Sequence, residues 1–166
     1  LFWFRQVECL FLDNVPSKDS IMYTIKKITI YTPELEQTVT DLLQQLVDRK
    51  IDVTTSLLEE LLRSDNSHLF CALDREGSCI GMITIGIYLS PTGRKAWIED
   101  VVVAQKNRGQ GVGEALTKHA VQFAKEQGVG ALMLTSNPSR IAANRLYQKL
   151  GFEQRKTNVY RMIFRP

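Results

Sequence analysis

Hydrophobic positions along this chain follow two rhythms, one of period two and one near 3.6, and together they divide it into strands and helices. Apolar and β-branched residues dominate positions 23–31, interrupted at Lys26 and Lys27, which predicts a strand. Thr32-Pro33-Glu34 is a helix start, with Pro in the first turn and acid behind it. Val39, Leu42, Leu43, Leu46 and Val47 then recur at helical spacing. Thr54-Thr55-Ser56 offers capping hydroxyls for a second helix over 55–63, where Leu57, Leu58, Leu61 and Leu62 form the apolar face. Segments 68–73 and 79–89 flank the turn Asp74-Arg75-Glu76-Gly77 and predict a hairpin. A second turn, Ser90-Pro91-Thr92-Gly93, leads into a strand over 95–103. A helix over 112–127 carries Ala115, Leu116, Phe123 and Ala124 on one face and stops at Gly128. A short apolar strand, 131–135, follows. Asn137-Pro138-Ser139 starts a last helix, bearing Ile141, Ala142, Leu146, Tyr147 and Leu150, which Gly151 ends. Segments 152–155 and 159–164 are expected as the last two strands, a hairpin around Lys156-Thr157-Asn158.

The resulting order is βααβββαβαββ. Hairpins in the middle of the chain make antiparallel neighbours, and the strand-helix-strand crossover after position 95 makes a parallel pair. The expected fold class is α/β (α+β): a mixed, mostly antiparallel sheet of about seven strands with helices on both faces. A chain of 166 residues, 44% of them hydrophobic, is the size of one domain and fills a core without staples. Residues 1–21 do not share the pattern that follows, so the domain is expected over 22–166, with a start at Met22 and an extension upstream of it.

The segment that carries chemistry lies at the junction of a strand and a helix. Val101, Val102 and Val103 end an apolar strand, and Arg108-Gly109-Gln110-Gly111-Val112-Gly113 opens the next helix. A glycine-rich loop at a helix start aims unpaired N–H groups and the positive end of the helix dipole at one point, which suits a phosphate. Charge agrees with this. Residues 1–93 hold 8 Lys/Arg and 13 Asp/Glu (−5), and residues 94–166 hold 13 and 5 (+8), so the loop lies in the basic half. No aromatic-interleaved basic stripe points to nucleic acid. No apolar run reaches membrane-spanning length, and the apolar opening is interrupted by Arg5, Glu8 and Asp13, so the expectation is a soluble, cytoplasmic protein. Cys9, Cys71 and Cys79 lack metal-type spacing and read as reduced thiols. His68 and His119 read as structural, and no metal site is expected.

Arg108-x-x-Gly111-x-Gly113 in this element order resembles the GNAT superfamily of acetyl-CoA-dependent N-acetyltransferases. The later run from Asn137 through Asn144 and Tyr147 to Gly151-Phe152 is similar to that family independently. The resemblance implies acetyl-CoA as donor, its pyrophosphate on the N–H groups of Arg108, Gly109, Gln110, Gly111, Val112 and Gly113. It implies that Val101, Val102 and Val103 lie along the pantetheine arm, with an oxyanion donor near Val102 or Val103. Asn137 and Asn144 are expected on the cofactor side, and Tyr147 as the acid beside the leaving thiolate. A thiol of pKa ~8.5 and a phenol of ~10 make that donation feasible. Arg140 and Arg145 fall near the same side.

Glu99 and Asp100 are adjacent acids in an otherwise apolar strand, where carboxylates are costly unless paired or functional. Strict alternation sends them to opposite faces, so at most one of the two faces the acceptor as base or ammonium anchor, and a salt bridge or a solvated acid is the alternative for either. The expected activity is acetyl transfer to a primary amine of a small molecule by direct attack. A non-catalytic acyl-CoA-binding or sensory module, and an acetyltransferase acting on a protein amine, are the alternatives. A homodimer is the expected assembly.

Overall fold

The computed structural model describes residues 23–47 and 49–164. The extension 1–21 and the start at Met22 lie outside the described residues. Five strands form one sheet in the order β1-β2-β3-β4-β5, where β1 is Thr24–Lys27, β2 Ser67–Leu73, β3 Cys79–Ser90, β4 Gly93–Val103 and β5 Ala131–Leu134. The first four are antiparallel neighbours, and β5 joins β4 in parallel. Helices α1 (Pro33–Gln44), α2 (Thr55–Arg63), α3 (Val112–Glu126) and α4 (Ile141–Lys149) complete the domain.

Local chemistry sets the helix starts. The Thr32 hydroxyl accepts from the Leu35 N–H at 3.1 Å, with Pro33 in the first turn of α1. Thr54 accepts from the Leu57 N–H at 3.3 Å and caps α2. Glu36 then joins the two helices, taking hydrogen bonds from Tyr31 at 3.0 Å and Thr55 at 2.7 Å.

The sheet separates two cores. On one face Phe70, Ile83, Ile85, Ala96 and Ile98 pack beneath Val112, Leu116 and Ala120 of α3. On the other, Leu69, Cys71, Met82 and Val102 meet Val39 and Leu42 of α1 and Leu58 and Leu62 of α2. Helix α3 approaches closely at Gly81, where a Cβ would stand 3.0 Å from the Val102 carbonyl and 3.2 Å from Val112. His68 lies edge-on to Phe123 at 4.9 Å and His119 edge-on to Phe70 at 4.6 Å, a packing role in the α3-side core. Cys71 and Cys79 are free thiols on the α1–α2 side of the sheet.

Three boundaries differ from the sequence pattern. The first strand stops at Lys27, adding only one further bond, from Ile28 N–H to Leu69 carbonyl at 2.9 Å. The last helix begins at Ile141, because Asn137–Arg140 form a turn closed by the Arg140 N–H on the Asn137 carbonyl at 3.0 Å. Segments 152–155 and 159–164 form no strand, so the sheet has five strands among the described residues and not about seven. Apolar and β-branched residues supply strand propensity, but a strand also needs a neighbour's backbone. β5 pairs with β4 over four residues and has no partner on its outer edge among the described residues. Val159, Tyr160, Met162, Ile163 and Phe164 are exposed accordingly, whereas Phe152 still packs on the α3-side core.

Candidate active site

The site is built where β4 and β5 part. Their pairing runs from Lys95 opposite Ala131 to Ile98 opposite Leu134 and goes no further. β4 continues for five residues, Glu99 to Val103, without a β5 partner. The backbone groups on that side are left for a ligand or for water.

A bulge at the same point redirects the side chains. Thr84 faces Glu99 and Met82 faces Val102, so two steps on β3 answer three on β4. Asp100 is the extra residue and has φ +50°, alone among the non-glycine described residues in the left-handed region. Ala96 and Ile98 face the α3 core, and after the bulge so do Val101 and Val103, while Val102 turns to α1 and α2. The alternation expected to place Glu99 and Asp100 on opposite faces is therefore broken at Asp100. Both carboxylates are exposed, and neither is ion-paired among the described residues. Glu99 is raised above the usual carboxylate range, first by partial desolvation and then by the charge of Asp100. Asp100 is raised by desolvation.

The glycine loop follows the short 3-10 turn Gln105–Asn107. Gly109 and Gly111 have φ +77° and +80°, a conformation that glycine adopts at no steric cost. Gly111 is the N-cap of α3, and its carbonyl takes the Ala115 N–H at 3.0 Å. Among the described residues the N–H groups of Gly109, Gln110, Gly111, Val112, Gly113 and Glu114 find no acceptor. Six free donors at a helix start fit a pyrophosphate. The Arg108 Nε donates to the Val103 carbonyl at 3.1 Å, joining the loop to the end of β4. Glu114, next to the loop, is gripped by Lys118 at 2.9 Å and Lys149 at 2.8 Å. These bonds hold its carboxyl down at about 2.

Tyr147 of α4 is half-buried, its ring edge-on to Phe152 at 5.9 Å. Desolvation pushes its phenol above 10.0, partly offset by Arg140, so it stays a proton donor at neutral pH. Asn144 and Asn137 both serve the turn before α4. The Asn144 amide donates to the Asn137 carbonyl at 2.9 Å, and Asn137 Oδ1 accepts from the Ser139 N–H and hydroxyl, each at 2.9 Å. Arg145 is exposed on α4. A hollow of about 1110 Å³ beside β5 is lined by Trp97, Leu134, Asn144, Tyr147 and Phe152, among others, and touches neither the loop nor Glu99 and Asp100.

Two contacts were not legible beforehand. Gln45, just past α1, accepts the Gln105 N–H at 2.9 Å on its side-chain oxygen, and Arg140 reaches the Leu46 carbonyl at 2.8 Å. The end of α1 is thus bonded to the chain leaving β4 and to the chain leaving β5. Tyr23 is the other omission. It packs on the α3-side core, and its hydroxyl borders Gly111. Neither involves a local motif, so no sequence signal marks them.

Comparison with known proteins identifies the family. The profile of the Acetyltransferase (GNAT) family matches residues 32–152, and the chain belongs to that family. It is 33% identical over 87 residues to a streptothricin acetyltransferase from Streptomyces lavendulae, covering 52% of this chain and 45% of that protein. It is 30% identical over 140 residues to a mycothiol acetyltransferase from Renibacterium salmoninarum, covering 83% and 38%. The chain spans less than half the length of these curated relatives. A transcriptional regulator from Bacillus halodurans C-125 superposes with a TM-score of 0.73 at 30% identity, over 86% of this chain and all of that one.

Proposed function

We propose that this chain is an N-acetyltransferase that moves the acetyl group of acetyl-CoA to a primary amine of a small cationic molecule. The observation that carries the reading is the parting of β4 from β5 after Ile98 and Leu134, beside a loop with six free N–H groups. The free edge of β4 suits the amide-rich pantetheine arm, and the loop suits the pyrophosphate. Similarity to the streptothricin and mycothiol acetyltransferases supports the same reaction class.

The chemistry is direct transfer. The amine gives up a proton and attacks the thioester carbonyl, a C–N bond forms, and the C–S bond breaks. Glu99, with no cation bonded to it among the described residues, faces the α1–α2 side as ammonium anchor and proton acceptor. A backbone N–H on the free edge of β4 steadies the oxyanion. Tyr147 donates to the departing sulfur. One ammonium ion and one thioester yield one amide, one thiol and one proton. The −5 charge of residues 1–93 favours a cationic acceptor.

The test is free-thiol release from acetyl-CoA against a panel of polyamines, amino sugars, aminoglycosides, amino acids and peptide N-termini. Release with the cationic small amines is expected. Tight acetyl-CoA binding with no release across the panel would overturn catalysis in favour of a binding module.

A further inference from the structure

We propose that the Tyr23 hydroxyl is a ligand of the donor's phosphates, a role that rests on the acetyl-CoA reading above. The topology brings this residue to the loop. The start of β1 pairs with the end of β2 (Thr24 opposite Leu73), and the end of β4 lies at the same end of the sheet (Gly81 opposite Val103). The ring of Tyr23 is anchored on the α3-side core, which leaves little freedom to its hydroxyl. That hydroxyl stands 3.8 Å from where a Cβ on Gly111 would be, at the N-cap of α3. It makes no hydrogen bond among the described residues. Tyr23 is not among the residues with a buried, unpartnered polar atom, so its hydroxyl is open to water, and a phosphate oxygen on the loop would take that water's place as acceptor.

The neighbouring charges allow an anion there. Glu114 alone would repel a phosphate from the first turn of α3. Its oxygens are taken by Lys118 and Lys149, so the group of three carries a net positive charge. Desolvation first, and then Glu114, raise the Tyr23 phenol, so it remains a donor across the physiological range. Tyr23 therefore adds a side-chain donor to the backbone donors of Gly109 to Glu114. A tyrosine there also makes the end of the sheet, and not the loop alone, part of phosphate recognition.

The experiment is calorimetric titration of the full chain and its Tyr23→Phe variant with CoA and with S-acetylpantetheine, which lacks the pyrophosphate, alongside thermal melting. The expected result is a Kd for CoA raised about tenfold in the variant, as for loss of one hydrogen bond to a charged group. The Kd for S-acetylpantetheine and the melting midpoint stay unchanged. An unchanged Kd for CoA overturns the inference. Equal weakening of both ligands overturns it too, because the hydroxyl would then be shaping the groove and not holding phosphate. If the unsubstituted chain, folded, fails to bind CoA, the donor reading falls and this inference with it.

Discussion

Ile98 faces Leu134 across the last pair that β4 and β5 make, and two residues later Asp100 takes a left-handed backbone. The end of one pairing and the bulge in the other lie within two residues on a single strand. β4 is thus released from β5 on one side while it is rephased against β3 on the other. The first change frees backbone groups. The second brings Val101 and Val103 to the α3 core and leaves Glu99 and Asp100 exposed.

Asp100 should tolerate substitution in an unusual order. At φ +50° a β-branched side chain is strained, whereas glycine is at ease. Asp100→Val is expected to cost about 1–2 kcal/mol, Asp100→Asn to be near neutral, and Asp100→Gly to stabilise by up to about 1 kcal/mol. Urea unfolding of the three variants checks the order. A valine as stable as the parent would mean the bulge relaxes.

Gly111→Ala strikes two properties together. A Cβ at φ +80° costs about 1–2 kcal/mol in stability. It also distorts the N-cap of α3, so affinity for CoA should fall by at least about tenfold, on the scale of losing a charged hydrogen bond. Calorimetry and thermal melting separate the two effects. Loss of stability with full CoA affinity would remove the loop from donor binding.

Tyr147→Phe should leave the Kd for acetyl-CoA unchanged and lower kcat by at least about tenfold for a substrate limited by chemistry. Desolvation holds the phenol above the ordinary tyrosine value, so its deprotonation takes no activity from the parent enzyme around neutral pH. Pre-steady-state thiol release measures the step. Equal rates in the two proteins would leave Tyr147 as a packing residue against Phe152.

His68 and His119 tie stability to pH. Burial holds both below the ordinary imidazole value, so the unfolded chain binds protons that the native state refuses. The stability they contribute is complete above about pH 6.5 and is lost as pH falls toward their depressed native values. Glu99 and Asp100, both raised, work in the opposite direction, so the comparison is between proteins. The urea midpoint of the parent should drop more steeply between pH 7.5 and 5.5 than that of a His68→Gln, His119→Gln double variant. Parallel slopes would show that the histidines do not contribute.

What was legible in the sequence follows from how local each feature is. Thr32, Thr54 and Gly128 mark helix ends through contacts within a few residues. The glycine loop is legible because left-handed backbone and exposed N–H groups are set by its own residues. The bulge was hidden. Trp97 to Val103 reads as one unbroken strand, and only the pairing of Glu99 with Thr84 and Val102 with Met82 reveals the extra residue. The Asn144 amide bond to the Asn137 carbonyl, which holds the preceding turn, was likewise not legible, because it depends on how that turn folds. Strand propensity at 159–164 was evident, but propensity does not supply the partner that pairing requires.

The bonds from Gln45 to Gln105 and from Arg140 to Leu46 have an evolutionary consequence. If α1 and α2 take the acceptor, as proposed, they are not an interchangeable cassette, because the end of α1 is fastened to both chains that leave the gap. A lineage acquiring a new acceptor by remodelling α1 also alters the frame that holds the donor. Divergence in substrate choice should then be accompanied by compensating change at positions 105 and 140, far along the chain from the residues under selection.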